Sequence, residues 1–153
     1  YWSKFDIEKI LREYGEEKFA RSIAENIIEE RKIKPIKNTF QLVEIIKKSV
    51  RGKQKIHPAT RTFQALRIVV NDELNNLNKA LPQALEILQS GGRLVVISFH
   101  SLEDRIVKNF LKTKQESLKL LTKKPIIPSN QEIKINPRSR SAKLRAAQKL
   151  WTL

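Results

Sequence analysis

The residues best suited to chemistry stand together at positions 98–105, where an apolar run ends in Ser-Phe-His-Ser-Leu-Glu-Asp-Arg. Serine, histidine and carboxylate side chains can transfer protons or accept hydrogen bonds from an amino group. In an ideal strand Ser98 and His100 share one face, and Phe99 takes the other. No third member of a hydrolase triad is identifiable. A structural interpretation stays open, in which the two acidic residues only cap the following helix.

A second candidate is the sequence His57-Pro58-Ala59-Thr60-Arg61, at a predicted boundary between a loop and a helix. Thr60 can cap that helix, and Arg61 would enter its first turn, where a cation is unfavourable against the helix dipole. An anion bound nearby would explain why an arginine occupies this unfavourable position. The alternative is an ordinary cap with a surface histidine and arginine.

A third candidate is the basic segment that follows the predicted turn at Asn136-Pro137. Its cations are Arg138, Arg140, Lys143 and Arg145. Arginine forks suit phosphate oxygens, so the segment indicates phosphate contact. A solvated basic strand edge, which discourages aggregation, is the alternative.

Helices must position the N-terminal candidates. The spacing of apolar residues predicts helices at about 3–14, 16–32, 40–49, 61–77 and 79–89. Ser3 and Asp6 form a capping-box pattern, Thr39 can cap the third helix, and Pro82 should kink or divide the last two.

A strand must deliver the 98–105 elbow. Residues 94–97 are apolar on both faces, which is typical of a central parallel strand, and Ser90-Gly91-Gly92 forms a tight turn before them. Ser101 and Asp104 predict a capping box that opens a helix over about 102–112. Two more strands are predicted after this helix, at 118–122 and 142–147, with a turn region at 125–137 between them. Residues 142–150 also fit a helix, and this alternative stays open.

The predicted sheet is too small for so apolar a strand. A strand such as 94–97 must be covered on both faces and paired at its edges, and no strand is predicted before residue 93. The chain also begins with Tyr1 rather than Met. We therefore expect an α/β fold of which this chain is the C-terminal part.

The charge of the chain favours a polyanionic partner. The formal net charge is +15 with a pI near 10.2, and residues 101–153 carry 13 basic against 4 acidic side chains. A globular chain with a basic C-terminal third is a candidate for nucleic-acid binding. Alternatively, the positive charge reflects a lysine-rich proteome and implies no partner.

The composition excludes several chemistries. There is no cysteine, so disulfides, thiolate nucleophiles and cysteine zinc sites are ruled out. His57 and His100 are too few for a histidine metal cage, and we predict no metal. No apolar run approaches the ~20 residues of a membrane span, and no signal peptide is visible, so we expect a cytoplasmic protein without a membrane partner. None of the four glycines makes a GxGxxG or P-loop motif.

Four long segments together resemble one enzyme family. They are YGEEKFARSIAENIIEER, HPATRTFQALRIVVNDEL, GGRLVVISFHSLEDRIVKNF and NPRSRSAKLRAAQ, at 14–31, 57–74, 91–110 and 136–148. They closely resemble the bacterial small-subunit ribosomal RNA (cytosine-N4)-methyltransferase family, known as RsmH or MraW. The similarity extends from about residue 3 to residue 149.

The resemblance implies a Rossmann-like S-adenosylmethionine-dependent methyltransferase fold with a helical insertion. Residues 1–55 would be the insertion, thought to recognise RNA, and residues 56–153 the C-terminal half of the methyltransferase domain. The family's glycine loop, acidic ribose-binding residue and early strands would lie upstream of Tyr1. Most cofactor contacts therefore cannot be assigned here, and this chain alone is expected to be inactive.

The implied reaction is N4-methylation of a cytidine in the decoding region of 16S rRNA, with S-adenosylmethionine as cofactor and the small ribosomal subunit as partner. We expect Ser98, His100 and Ser101 to line the base pocket. We place His57, Thr60 and Arg61 near the junction of cofactor and RNA. The residues expected to contact RNA are Arg61, Arg105, Arg138, Arg140, Lys143 and Arg145.

Two other interpretations stay open. The chain could be a non-catalytic RNA- or ribosome-binding module that has lost the cofactor half. It could also be a structural half that joins a separately made N-terminal half. A homodimer is compatible with each of these interpretations.

Overall fold

The structure, a computed structural model, describes residues 2–52 and 54–151. Its chain forms two compact units, one extending to Glu73 and the other beginning at Leu74. The predicted boundary between the helical insertion (1–55) and the methyltransferase domain (56–153) is a different division, and it stays a prediction.

The first unit is a group of four helices. They are α1 (Lys4–Gly15), α2 (Ala20–Ile33), α3 (Thr39–Ser49) and α4 (Thr60–Val70). Each helix buries one apolar face, and the shared core is built from Ile7, Leu11, Ile23, Ala24, Ile27, Ile45, Ile46 and Ala65. Burial of these side chains stabilises the unit by removing apolar surface from water.

The start of α1 confirms the predicted capping box. The Ser3 hydroxyl accepts from the Asp6 N–H at 3.2 Å, and the Asp6 carboxylate accepts from the Ser3 N–H at 3.0 Å. The predicted start of the second helix at residue 16 is wrong, because Glu16 has a left-handed backbone (φ 48°) that closes α1. Helix α2 begins only at Ala20.

Two predicted helix caps are wrong. Asn38, rather than Thr39, caps α3, because its side-chain oxygen accepts from the Gln41 N–H at 3.0 Å. Thr60 is the first residue of α4 and does not cap it; Ala59 precedes the helix and supplies no side-chain hydrogen bond.

The helix predicted over 61–77 is two helices. It breaks after α4, where Asp72 takes a left-handed conformation (φ 51°) that aspartate tolerates, and α5 (Glu73–Ile87) follows. The break expected at Pro82 is wrong, since this proline lies inside α5. A stripe of leucines on α5 packs into the second core and offsets the cost of the proline; it comprises Leu77, Leu81 and Leu85.

The second unit packs helices against a small sheet. Its strands are β1 (Arg93–Ser98), β2 (Leu118–Leu120) and β3 (Lys143–Lys149), and α6 (Ser101–Thr113) follows β1. The sheet order is β1-β3-β2 and both pairings are antiparallel, with Val96 opposite Arg145. The two C-terminal strands are confirmed, and the helical alternative for 142–150 is wrong.

The described residues pair and cover the apolar strand β1 on one side only, and the parallel neighbours expected for it stay a prediction. In the part of the chain that the structure describes, β1 pairs only with the antiparallel β3, so one of its edges is open. Val95 and Ile97 are 53% and 54% exposed, while Leu94 and Val96 face the second core. Within the described residues, β1 is therefore covered on one face only.

Two short elements interrupt the predicted turn region. Helix α7 (Asn130–Ile135) begins with the Ser129 hydroxyl accepting from the Glu132 N–H at 3.1 Å, and a 3-10 helix (Pro137–Ser141) follows it.

Among the described residues, no helix combines the length and the hydropathy that crossing a membrane requires.

Candidate functional site

The elbow between β1 and α6 is held by a capping box centred on His100. Its Nδ1 accepts from the Glu103 N–H at 3.3 Å. The Glu103 carboxylate accepts from the N–H groups of Phe99 and His100, at 2.8 and 3.3 Å. The box predicted for Ser101 and Asp104 is therefore wrong by one residue, because imidazole takes the role of the usual hydroxyl.

This geometry fixes the tautomer of His100. Because Nδ1 accepts a hydrogen bond, the proton of the neutral imidazole is on Nε2. Nε2 lies 3.4 Å from Glu103 Oε1. Both ring nitrogens of His100 therefore lie close to Glu103.

The two strand-end residues predicted to share a face are both buried. Ser98 is 3% exposed and the side chain of His100 is 7% exposed, whereas Phe99 between them is 54% exposed. Ser98 Oγ lies 3.4 Å from the Lys143 carbonyl, a weak hydrogen bond. Ser101 is half-buried at the first position of α6.

A buried ion pair ties the first turn of α6 to β3. Arg145 donates to Asp104 through Nε to Oδ1 at 2.7 Å and through Nη2 to Oδ2 at 3.2 Å. Lys143 Nζ lies 3.3 Å from Oδ2. The hydrogen bond from Arg145 lowers the pKa of the Asp104 carboxyl below its ordinary value, and the Lys143 ammonium lowers it further. Sequence reasoning missed this pair, since partners 41 residues apart carry no local signal.

The predicted phosphate-binding residues occupy different environments. Arg138 and Arg140 are exposed on the 3-10 helix, and Arg105 is exposed on α6. Lys143 is half-buried and Arg145 is 8% exposed, both beside Asp104. Contact of each of these residues with phosphate stays a prediction.

The two exposed arginines stand on a fixed turn. Ser139, between them, is buried, and its hydroxyl donates to the Asn136 carbonyl at 2.8 Å. Its own carbonyl accepts from the Ala142 N–H at 2.7 Å. Because the middle residue is anchored inward, its two neighbours present their guanidinium groups to solvent.

In the first unit, His57 and Arg61 line one cavity of about 400 Å³. Its walls come from the α1–α2 turn and from the loop that precedes α4, and Thr60 does not line it. His57 Nδ1 accepts from the Ala59 N–H at 3.2 Å, and Arg61 Nη1 donates to the Glu16 carbonyl at 3.2 Å. The candidates of this loop are thus grouped in the first unit, and those of the elbow are grouped in the second.

The chain belongs to the MraW methylase family, whose model matches residues 1–150. The resemblance found in the four segments is thereby confirmed.

Curated relatives are similar along almost all of this chain. The ribosomal RNA small subunit methyltransferase H of Caldicellulosiruptor bescii is 51% identical over 98% of the chain, and that of Oenococcus oeni is 52% identical over 97%. The enzyme of the same name from Clostridioides difficile is 46% identical over 97%. The chain spans only 54–55% of the length of these three proteins.

Proposed function

We propose that this chain is the C-terminal portion of an enzyme that methylates the exocyclic N4 of a cytidine in the decoding region of 16S rRNA. The observation that carries the proposal is the continuous match of residues 1–150 to this family, at 46–52% identity to relatives named as small-subunit rRNA methyltransferases. The partner would be the small ribosomal subunit, in the cytoplasm. A homodimer stays compatible with this proposal.

We propose a Rossmann-like fold for the complete enzyme, with the helices of residues 1–55 as its insertion. The open edge of β1 and its exposed residues Val95 and Ile97 support this, since an apolar strand of this kind belongs inside a sheet. Further strands would come from the part of the relatives that this chain does not span.

The described residues do not supply the glycine turn that holds S-adenosylmethionine in this class of fold. Such a cofactor needs a glycine turn after a strand, but Gly91 and Gly92 precede β1, Gly15 ends α1, and Gly52 lies in a loop. The cofactor supplies the methyl group, and we assign its pocket to the part of the enzyme that lies outside this chain. His57, Thr60 and Arg61 remain candidates for its vicinity.

The elbow would orient the cytosine. The lone pair of N4 is delocalised into the ring, so the amino group must be held in a reactive orientation. Ser98, His100 and Ser101 are the side chains that we propose to line the base pocket and to hold the amino group. The base would leave its stack to reach these groups.

The exposed cations would hold the RNA backbone. Arg138 and Arg140 are the strongest candidates, because they are exposed on an anchored turn. Arg61, Arg105 and Lys143 are proposed to assist them. Arg145 is buried in its ion pair with Asp104, so we propose that it acts on RNA only indirectly, by holding α6 against β3.

A second candidate function is a non-catalytic module that binds ribosomes, which the exposed arginines Arg138 and Arg140 would serve equally well. The test incubates the complete polypeptide with unmethylated small subunits and labelled S-adenosylmethionine, followed by mass spectrometry of the nucleosides. N4-methylcytidine supports the enzyme. Subunit binding without any methyl transfer supports the module and contradicts our proposal.

A further inference from the structure

Glu103 contacts the elbow at more points than a helix cap requires. In a capping box the carboxylate returns to one backbone N–H at the start of the helix. Here one oxygen of Glu103, Oε2, already accepts from two backbone N–H groups, those of Phe99 at 2.8 Å and His100 at 3.3 Å. The capping role of this side chain is therefore met by a single oxygen atom.

The other oxygen of Glu103 lies beside the imidazole of His100. Oε1 is 3.4 Å from Nε2, and the backbone N–H of Glu103 donates to Nδ1 at 3.3 Å. An acceptor and a donor of the same residue therefore approach the two ring nitrogens. Because the side chains of His100 and Glu103 are only 7% and 23% exposed, water screens the contact between them weakly.

We propose that Glu103 is a positioning residue for the reaction of the complete enzyme, in which it sets the ring orientation and the tautomer of His100. Of the two neutral tautomers, the negative charge beside Nε2 and the N–H on Nδ1 both favour the one that carries its proton on Nε2. Glu103 acts through His100 and does not touch the base. The inference rests on the proposed function for the identity of the reaction, but not for the state of the imidazole.

The variant that tests this role is Glu103→Gln, because glutamine preserves the shape of the side chain but has only one oxygen. If that oxygen keeps the two backbone N–H groups, the amide NH2 lies beside the Nε2–H of His100 and the two donors repel. If the amide turns over, the backbone N–H groups lose their acceptor instead. The variant should fold, since glutamine also serves in capping boxes, but it cannot hold the backbone and the ring together.

The first readout is the nitrogen NMR spectrum of the histidine rings in the full chain at about pH 8.5, where an ordinary imidazole is neutral. In the parent, His100 should carry its proton on Nε2, and Glu103→Gln should shift both of its ring nitrogen resonances. His57, the other histidine of the chain, is an internal control whose resonances should not move. A parent ring protonated on Nδ1 would overturn the proposal, as would a variant with an unchanged His100 spectrum.

The second readout is methyl transfer to unmethylated small subunits by the complete enzyme. Glu103→Gln should lower kcat by about tenfold and change the KM for the subunit by less than about twofold, because Glu103 orients the site but does not bind RNA. The control, Glu116→Gln, removes the same charge at an exposed position of the second unit and should match the parent. A parental kcat in a variant whose His100 spectrum has shifted would overturn the proposal. Absence of methyl transfer by the parent enzyme would contradict the proposed function, whereas the ring spectra test the inference separately.

Discussion

At the residue scale, the buried pair of Asp104 and Arg145 decides how rigidly the elbow is held. A bidentate pair of this kind joins two elements with defined geometry. The pair joins α6 to β3, next to the elbow that carries Ser98 and His100. Removal of one partner leaves the other as a buried and uncompensated charge.

Asp104→Asn should lower the free energy of unfolding at pH 7 by on the order of 3 kcal/mol. Because the folded pKa of Asp104 lies below the ordinary value of 3.8, the stabilisation is complete above that value and is lost as the pH falls through the folded pKa. Urea unfolding between pH 7 and pH 3 should therefore show parent and variant converging in acid. Exposed Glu86→Gln is the control, and a gap between parent and Asp104→Asn that stays constant with pH would contradict this account.

At the element scale, the close packing of α1 on α4 depends on Gly15. A Cβ at this position would lie 2.8 Å from the Arg61 carbonyl oxygen and 3.3 Å from Ala65 Cβ. The two helices approach at this point because no side chain separates them. Arg61, whose carbonyl meets Gly15, also lines the cavity that it shares with His57.

Gly15→Ala should therefore destabilise the chain by about 1–3 kcal/mol, since the backbone of α4 must move. Glu13→Ala, an exposed substitution on the same helix, serves as the control and should be neutral or slightly stabilising. Thermal unfolding of the two variants measures the difference. Equal melting temperatures would show that the helices can separate without cost.

The elements that local sequence patterns predicted correctly are those with local causes. The capping box of Ser3 and Asp6, the turn at Gly91 and the strand that precedes the elbow all arise from neighbouring residues. The break at Asp72 and the continuous helix through Pro82 depend on conformation and packing that periodicity does not encode. His100 as a cap was missed because imidazole seldom takes that role.

The candidate site was only partly predictable for the same reason. Their spacing alone predicted that Ser98 and His100 share one strand face, while the burial of both side chains is a finding of the structure. The bond between Asp104 and Arg145 joins distant parts of the chain, and the cavity beside Arg61 needs the α1–α2 turn to fold against a later loop. Only the three-dimensional structure brings such residues together.

At the scale of the whole molecule, the open edge of β1 is a test of the proposed fold. Val95→Thr with Ile97→Thr should cost this chain less than about 1 kcal/mol, because both residues are half exposed. In the complete enzyme the same pair should cost several times more, since further strands and helices would bury it. Equal losses in urea unfolding of the two proteins would contradict the Rossmann-like proposal.

The net charge of +15 should make RNA binding strongly dependent on salt. Arg138→Gln with Arg140→Gln should reduce the slope of log K against log salt by about 1.4 if both contact a single strand. Arg12→Gln with Arg21→Gln removes the same charge from the first unit and should leave that slope nearly unchanged. A slope that falls equally in both variants would indicate diffuse charge rather than a defined contact.

The most direct test replaces His100 by Asn in the complete enzyme. Asparagine retains the N-cap acceptor, so the elbow should fold with nearly unchanged stability, but the imidazole that would orient the base is lost. We predict that His100→Asn lowers methyl transfer to unmethylated small subunits by at least about tenfold while its melting temperature stays within about two degrees of the parent. Methylation at the parental rate by this folded variant would contradict the claim that the elbow after β1 orients the cytosine.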